Sequence, residues 1–470
     1  MNRVKNSNGF SIACYVAVLA FTAAFIFFQF AYPYHLIRRE QMTLFVYDWA
    51  YIGQTYHGAG WLVRIAADFL EQFFLLPCVG PLIISILLTA IGYVSYAISR
   101  KFLNDKWSLA IAVIVFLWSF LRETGNLYMT RYTFAVLIYL SLALFTLNFL
   151  SFKGWPVAAV ALAAFSVWSV GAPANRNYGR MWSLPSMRYE RLMGMDVQVA
   201  RENWDKVIEL SKDDLHMTEA SFCYNLAQAM KGNLGNSLLD YTQNAQYTLL
   251  FTVVPNQTLF KNCLAGEVWF HLGEMTMAEQ SAVTSLQVSP NHTGARFIKR
   301  LADVNLVTGQ EATAQKYLNL LSKTLFYGKW ARKMMPECQD GHAKSQLQKQ
   351  RLNLTGKDVV HLSDNPRLIL TGLLEANPDN MIARNYLLCY DLMCCDLESF
   401  IGDYSKCRID AHIYQEAVLI WLSQHDRLSE TTAAEYGVAP GIISRMGRFF
   451  RMPEGFRNTY WYYYMNAFED

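Results

Sequence analysis

Charge is scarce in this chain: Lys, Arg, Asp and Glu make up 17% of its 470 residues, where an ordinary soluble domain has about a quarter. The scarcity is local. Residues 1–171 hold 11 basic and 6 acidic side chains, whereas residues 172–470 hold 30 and 32. That asymmetry excludes a single soluble globule, a disordered chain and a basic nucleic-acid binder. Motifs of chemistry are missing as well. No G-x-x-x-x-G-K-[ST], G-x-G-x-x-G, H-E-x-x-H or G-x-S-x-G occurs, which removes the common phosphate cradles, the zinc-protease helix and the nucleophile elbow. Gly58-Ala59-Gly60 is a two-glycine fragment read as a turn. The nine cysteines form no C-x-x-C pair, so neither a zinc ribbon nor a thioredoxin-type motif is present. Seven of them lie beyond residue 172, an odd number that argues against a disulfide framework. The vicinal Cys394 and Cys395 are read as small buried side chains in a helix. Cys338 and His342 lack the further ligands a metal needs. No metal and no cofactor is expected.

Long uncharged runs are what the first third has instead. Phe10 to Ala31 covers 22 positions, enough to cross about 30 Å of hydrocarbon at about 1.5 Å per residue. The run exceeds a signal-peptide core and no small-x-small site follows it, so it is read as an uncleaved span. Four more runs follow, at 74–98, 107–121, 133–152 and 155–172, the first of them with Pro77 and Pro81 near its start. The expectation is a helical domain of about five spans over residues 1–172. The cluster Arg100, Lys101 and Lys106 in a short loop sets that loop in the cytoplasm together with the N-terminus. Five spans then leave residues 173–470 outside the cytoplasm. Arg176, Arg180, Arg188 and Arg191 argue the other way.

The first loop, residues 32–73, carries the candidate polar site. Trp61 to Phe74 reads as an amphipathic helix with Arg64, Asp68 and Glu71 on one face and Trp61, Leu62, Ile65, Phe69 and Phe73 on the others. The plain reading is an interfacial helix whose polar stripe faces water, with Arg64 and Asp68 an ordinary i, i+4 pair. The sharper reading has Asp48, His57, Asp68 and Glu71 facing a substrate over the bundle.

Beyond residue 172 the pattern is helical and repetitive. Leu272-Gly273-Glu274 leads after five positions to Ala278 and then to Pro290; Gly309 leads to Ala314 with the same spacing, and Gly232 leads to Ser237. Gly suits the tight turn between antiparallel helices, a small residue lets them approach, and Pro punctuates the second. These residues resemble a degenerate tetratricopeptide (TPR) repeat. Trp204 to Leu210 and the pair around Leu374–Pro378 and Ala383–Leu388 fit the same scheme, while the polar stretch 336–365 interrupts it. Tyr460-Trp461-Tyr462-Tyr463-Tyr464, in a final segment Phe456 to Phe468, would cover every side of a helix and is read as a closing helix over the last repeat. The fold class is therefore all-α: an N-terminal transmembrane bundle followed by a TPR-like α-solenoid.

Three stretches carry a wider resemblance: Phe45-Val46-Tyr47-Asp48-Trp49-Ala50-Tyr51, Phe69-x-x-Gln72-Phe73-Phe74-x-x-Pro77, and Trp204-Asp205-Lys206-Val207-Ile208. The whole chain resembles a family of bacterial multi-pass membrane proteins with a TPR-like tail, for which no activity is assigned. The resemblance implies architecture and the bacterial plasma membrane. Two functions compete. The first is a non-enzymatic scaffold or assembly factor, anchored in the bilayer, whose repeat tail grips a protein or peptide partner in the cell envelope. The second is a membrane glycosyltransferase using a lipid-linked sugar, with Asp48 in the first extracytoplasmic loop as base or metal-holding carboxylate. A transporter subunit is a third and weaker reading, since the spans contain no internal repeat.

Overall fold

The computed structural model describes residues 2–58, 60–125, 129–149, 184–254, 258–289, 292–339, 350–354 and 365–467. Among them every regular element is helical and no strand occurs. The chain divides into two compact units: Met1–Met193 with Thr293–Arg296 and Asn319–Ala331, and Gly194–His292 with Phe297–Leu318 and Arg332–Asp470. The expected boundary at 172 lies outside the described residues.

The first unit begins with α1 (Asn2–Ile26), which runs straight into a π-helical turn at Phe27–Ala31. The first loop holds α2 (Pro33–Met42), α3 (Trp49–Thr55) and α4 (Trp61–Glu71), with a 3₁₀ turn at Gln72–Leu75. Then follow α5 (Val79–Ser99), α6 (Asp105–Glu123) and α7 (Thr130–Phe149). Among the described residues three stretches are long and apolar enough to cross a membrane: Ile12–Ala31, Val79–Ser99 and Thr130–Asn148. Five such runs were expected, and the differences have local causes. The second run does not start at 74, because Leu76-Pro77-Cys78 cannot continue a helix: proline disfavours it at the preceding residue, and Cys78 takes φ +65°. The run at 107–121 is helical, but charges at both ends of α6 (Asp105, Lys106, Arg122 and Glu123) keep it out of that class. Trp155 to Ala172 lies outside the described residues.

Helices α1, α5, α6 and α7 pack together, each antiparallel to the one before it in that order. At one end Ala13 packs with Tyr96, Ala112 and Leu109. At the other, Ala24, Phe28, Tyr32 and Leu36 pack with Phe74, Ile84 and Leu88, and Phe116, Phe120, Phe134 and Leu137 close the cluster. Lys101 Nζ donates to Asn148 Oδ1 at 2.5 Å at the first end. The Tyr32 hydroxyl accepts from the Ser186 N–H at 3.4 Å at the second. Asn148 and Ser186 therefore lie at opposite ends of the bundle.

The second unit is a chain of short helices joined by one recurring turn. A helix ends, one residue takes positive φ, and the next N–H bonds back five residues. The turn is used at Glu202, Gly232, Gly273, Gly309, Cys395, Asp426 and Gly437, with the i→i−5 bonds between 2.8 and 3.0 Å. The residue after the turn commonly caps the next helix, as Asn203, Glu274 and Asp396 do through their side chains. Gly273 joins Leu259–Leu272 to Met275–Val288. Those two helices lie so close that a Cβ at Gly266 would come within 2.5 Å of Ser281 Oγ, and Ala278 is fully buried between them. Gly309 stands between Ala295–Thr308 and Glu311–Ser322, with Ala314 fully buried. After Gly232 only a single turn, Leu234–Ser237, follows before the chain passes into 3₁₀ turns, so that hairpin lacks a full second helix. Pro290 lies outside the described residues, as does most of 336–365.

Three further expectations resolve in this unit. Trp204–Ser211, Pro366–Ala376 and Met381–Met393 are helices where the repeat scheme asks for them. Cys394 and Cys395 are not a buried helical pair: they end Met381–Met393, Cys394 is exposed, and Cys395 takes the positive-φ position. The aromatic run forms the helix Tyr460–Asn466. Tyr460 and Trp461 are buried, the Tyr460 hydroxyl donates to Leu392 O at 3.0 Å, and Trp461 Nε1 donates to Glu416 O at 3.0 Å.

Candidate functional site

Helix α4 is short and follows a left-handed Gly60. Its spacing does bring Arg64, Asp68 and Glu71 to one side. That side does not face water: Asp68 is 6% and Glu71 4% exposed. The Tyr56 hydroxyl donates to Asp68 Oδ2 at 2.9 Å, and the Thr130 N–H donates to Glu71 Oε1 at 3.3 Å. Arg64 donates to His57 O instead of forming the expected i, i+4 pair with Asp68, although its charge still favours the Asp68 carboxylate. Burial pushes both carboxyls above the ordinary range. Asp68 is opposed in this by the Tyr56 hydroxyl and the charges of Arg131 and Arg64, while Glu71 is pushed further by Asp68. Tyr56 is raised far above its usual range by burial and by the Asp68 carboxylate.

Behind this face lies a second group that the sequence does not announce. Glu123, fully buried at the end of α6, pairs with Arg39 of α2. Arg39 also donates to Glu123 O at 2.7 Å, to Thr130 Oγ1 at 3.2 Å, and lies 2.7 Å from His35 Nε2. The Thr133 hydroxyl donates to Glu123 Oε2 at 2.5 Å. His35 is buried, and burial together with the Arg39 charge holds its pKa well below the usual imidazole value. Glu190 reaches the first turn of α2 and accepts the Tyr34 N–H at 2.5 Å and the His35 N–H at 3.2 Å. Burial lifts its carboxyl to about 8 against those two N–H donors. The carboxyls of Asp68, Glu71, Glu123 and Glu190, the Arg39 guanidinium and the His35 imidazole thus gather at the end of the bundle where α1 ends and α7 begins. Arg39, Glu123 and Glu190 pair across 84 to 156 positions of chain, a separation no spacing rule reaches. The only sequence signal was a charge at the edge of an apolar run.

Asp48 stands apart from this cluster. It is the N-cap of α3, accepting the Ala50 N–H at 2.8 Å and the Tyr51 N–H at 3.4 Å, and it pairs with Lys323. Those partners, the Lys323 ammonium first, hold its carboxyl below the usual range. Extended chain at 43–47 also bonds to tail segments of the same unit: the Ala295 N–H donates to Thr43 O at 3.0 Å and the Tyr47 N–H to Lys323 O at 2.9 Å. The small cleft there, lined by Glu40, Phe45, Gln72 and Phe326 among others, has room for little more than a water molecule. Among the described residues no group of three or more His, Cys, Asp and Glu is arranged to hold a metal. His342 lies outside the described residues.

The fold and the site together define a class: a protein whose described residues are all-helical, with three helices among them long and apolar enough to span a membrane and a buried charged cluster at one end of them. The chain matches the model of a family described as a family of unknown function (DUF6057) over residues 10–176 and 155–467, and belongs to that family. No curated protein and no solved structure matches it.

Proposed function

We propose that the protein is a membrane-anchored scaffold or assembly factor of the bacterial cell envelope, whose TPR-like tail binds a protein or peptide partner. The observation that carries this reading is the recurring helix–turn–helix joint of the second unit, used seven times among the described residues. Helices joined in that way bury one face against their neighbours and leave another for a partner. The aromatic helix Tyr460–Asn466 fits the closing element such an array needs. The three apolar helices supply the anchor. With the five spans expected from the sequence, the tail is extracytoplasmic, on the side of the first loop. The transferase reading is weaker, because the Asp48 carboxylate is engaged as a helix cap and by Lys323.

Site-specific photo-crosslinking over residues 190–400 in the native host tests the reading: a defined protein adduct supports it. Absence of any protein adduct, together with loss of a surface glycan in Asp48→Asn at normal protein level, would overturn it in favour of the transferase. A reporter active only outside the cytoplasm, fused after Asp470, is expected to be active.

A further inference from the structure

Helix α4 is built inside out. Its carboxylates Asp68 and Glu71 are buried and Arg64 is partly so, while Trp61, Leu62 and Phe69 are 44%, 62% and 38% exposed. A helix on a water-facing surface does the reverse, because apolar area leaves water and carboxylates stay in it. Lipid inverts that preference: ionisable groups turn to the protein interior and find partners there, and apolar side chains turn outward. We infer that α4 lies in the membrane interface, with Trp61, Leu62 and Phe69 seated among acyl chains and its carboxyl face closed against the protein.

Three observations favour lipid over another occupant. The helix is fixed to the first turn of α7, through Glu71 and the Thr130 N–H. It therefore sits level with the first turn of an apolar helix whose exposed Leu142 and Phe145 lie about three to four turns further along. Trp61 opens the helix and Trp49, in the same loop, is also exposed, as suits the headgroup boundary. Finally, the outward residues Trp61, Leu62, Ile65 and Phe69 carry no polar group except an indole N–H, so nothing on that face asks for a polar partner. The inference rests on the membrane anchoring proposed above.

The test uses the full chain in nanodiscs of palmitoyl-oleoyl phosphatidylethanolamine and phosphatidylglycerol. A photo-reactive benzoylphenylalanine is placed singly at Leu62, Phe69, Val18 of α1, and Lys206 of the second unit. Each variant is first required to elute as a single species, and adducts are read by mass spectrometry. The expected result is phospholipid adducts at 62 and 69 comparable with those at 18, and none at 206. Adducts at 18 but not at 62 and 69 would overturn this inference alone. Protein adducts at 62 or 69 would overturn it in favour of a second copy or a partner. Failure at 18 as well would overturn the membrane anchoring and this inference together.

Discussion

Removing the Glu123 carboxylate is the sharpest perturbation of the buried cluster. Glu123→Ala leaves the Arg39 guanidinium, itself only 10% exposed, with a backbone carbonyl, the Thr130 hydroxyl and the His35 ring as its neighbours. It also removes the carboxylate that the Thr133 hydroxyl donates to. An uncompensated buried charge costs about 3–5 kcal/mol, whereas replacing both members of such a pair by apolar side chains is often close to neutral. Glu123→Ala should therefore lower the unfolding midpoint by on the order of 5–10 °C. Arg39→Leu/Glu123→Leu should recover a large part of that loss. The control is Glu209→Ala, which removes the exposed pair with Lys206 and should cost less than about 1 kcal/mol. The assay is thermal unfolding of the detergent-solubilised chain at one fixed scan rate, followed by tryptophan fluorescence. If Glu123→Ala costs no more than Glu209→Ala, or the double variant loses the sum of its single losses, the pair is not coupled and the reasoning fails.

Two glycines that look alike in sequence should behave differently. At Gly309 an added Cβ meets open space, so Gly309→Ala should cost only the left-handed backbone penalty of about 1–2 kcal/mol. At Gly273 the same methyl collides with Asn353 Cβ, so Gly273→Ala should add an overpacking cost of about 1–3 kcal/mol; equal midpoints would refute this. Trp461→Ala, at a fully buried ring bonded to Glu416 O, should cost about 3–5 kcal/mol, read as early melting of the second unit. The buried Glu416 carboxyl is raised from 4.5 to about 7 by burial. A raised carboxyl contributes stability that is full below its unfolded value and is lost as pH rises through the folded one. The second unit should thus lose midpoint between about pH 4.5 and pH 7, and Glu416→Gln should flatten that slope; an unchanged slope would exclude Glu416 as its source.

The amphipathic stripe Arg64, Asp68 and Glu71 was legible from its spacing, but its direction was not. Spacing fixes which side chains share a face and says nothing of which face meets water, protein or lipid. Glu71 is turned inward by the Thr130 N–H, 59 positions away in the chain. The turns at Gly232, Gly273 and Gly309 were legible because glycine advertises positive φ. Those at Glu202, Cys395 and Asp426 were not, since those residues accept the same conformation only under tertiary constraint.

Composition and periodicity alone determined that the described residues are helical and that the chain is split into an apolar front and a charged rear, because hydrophobic runs and helical periodicity are local properties. Only the tertiary structure decided that Arg39 meets Glu123, that Glu190 closes the start of α2, and that the carboxyls of α4 point inward. Each of those depends on bringing distant helix ends to one place, and the energy that selects the arrangement comes from satisfying buried charge.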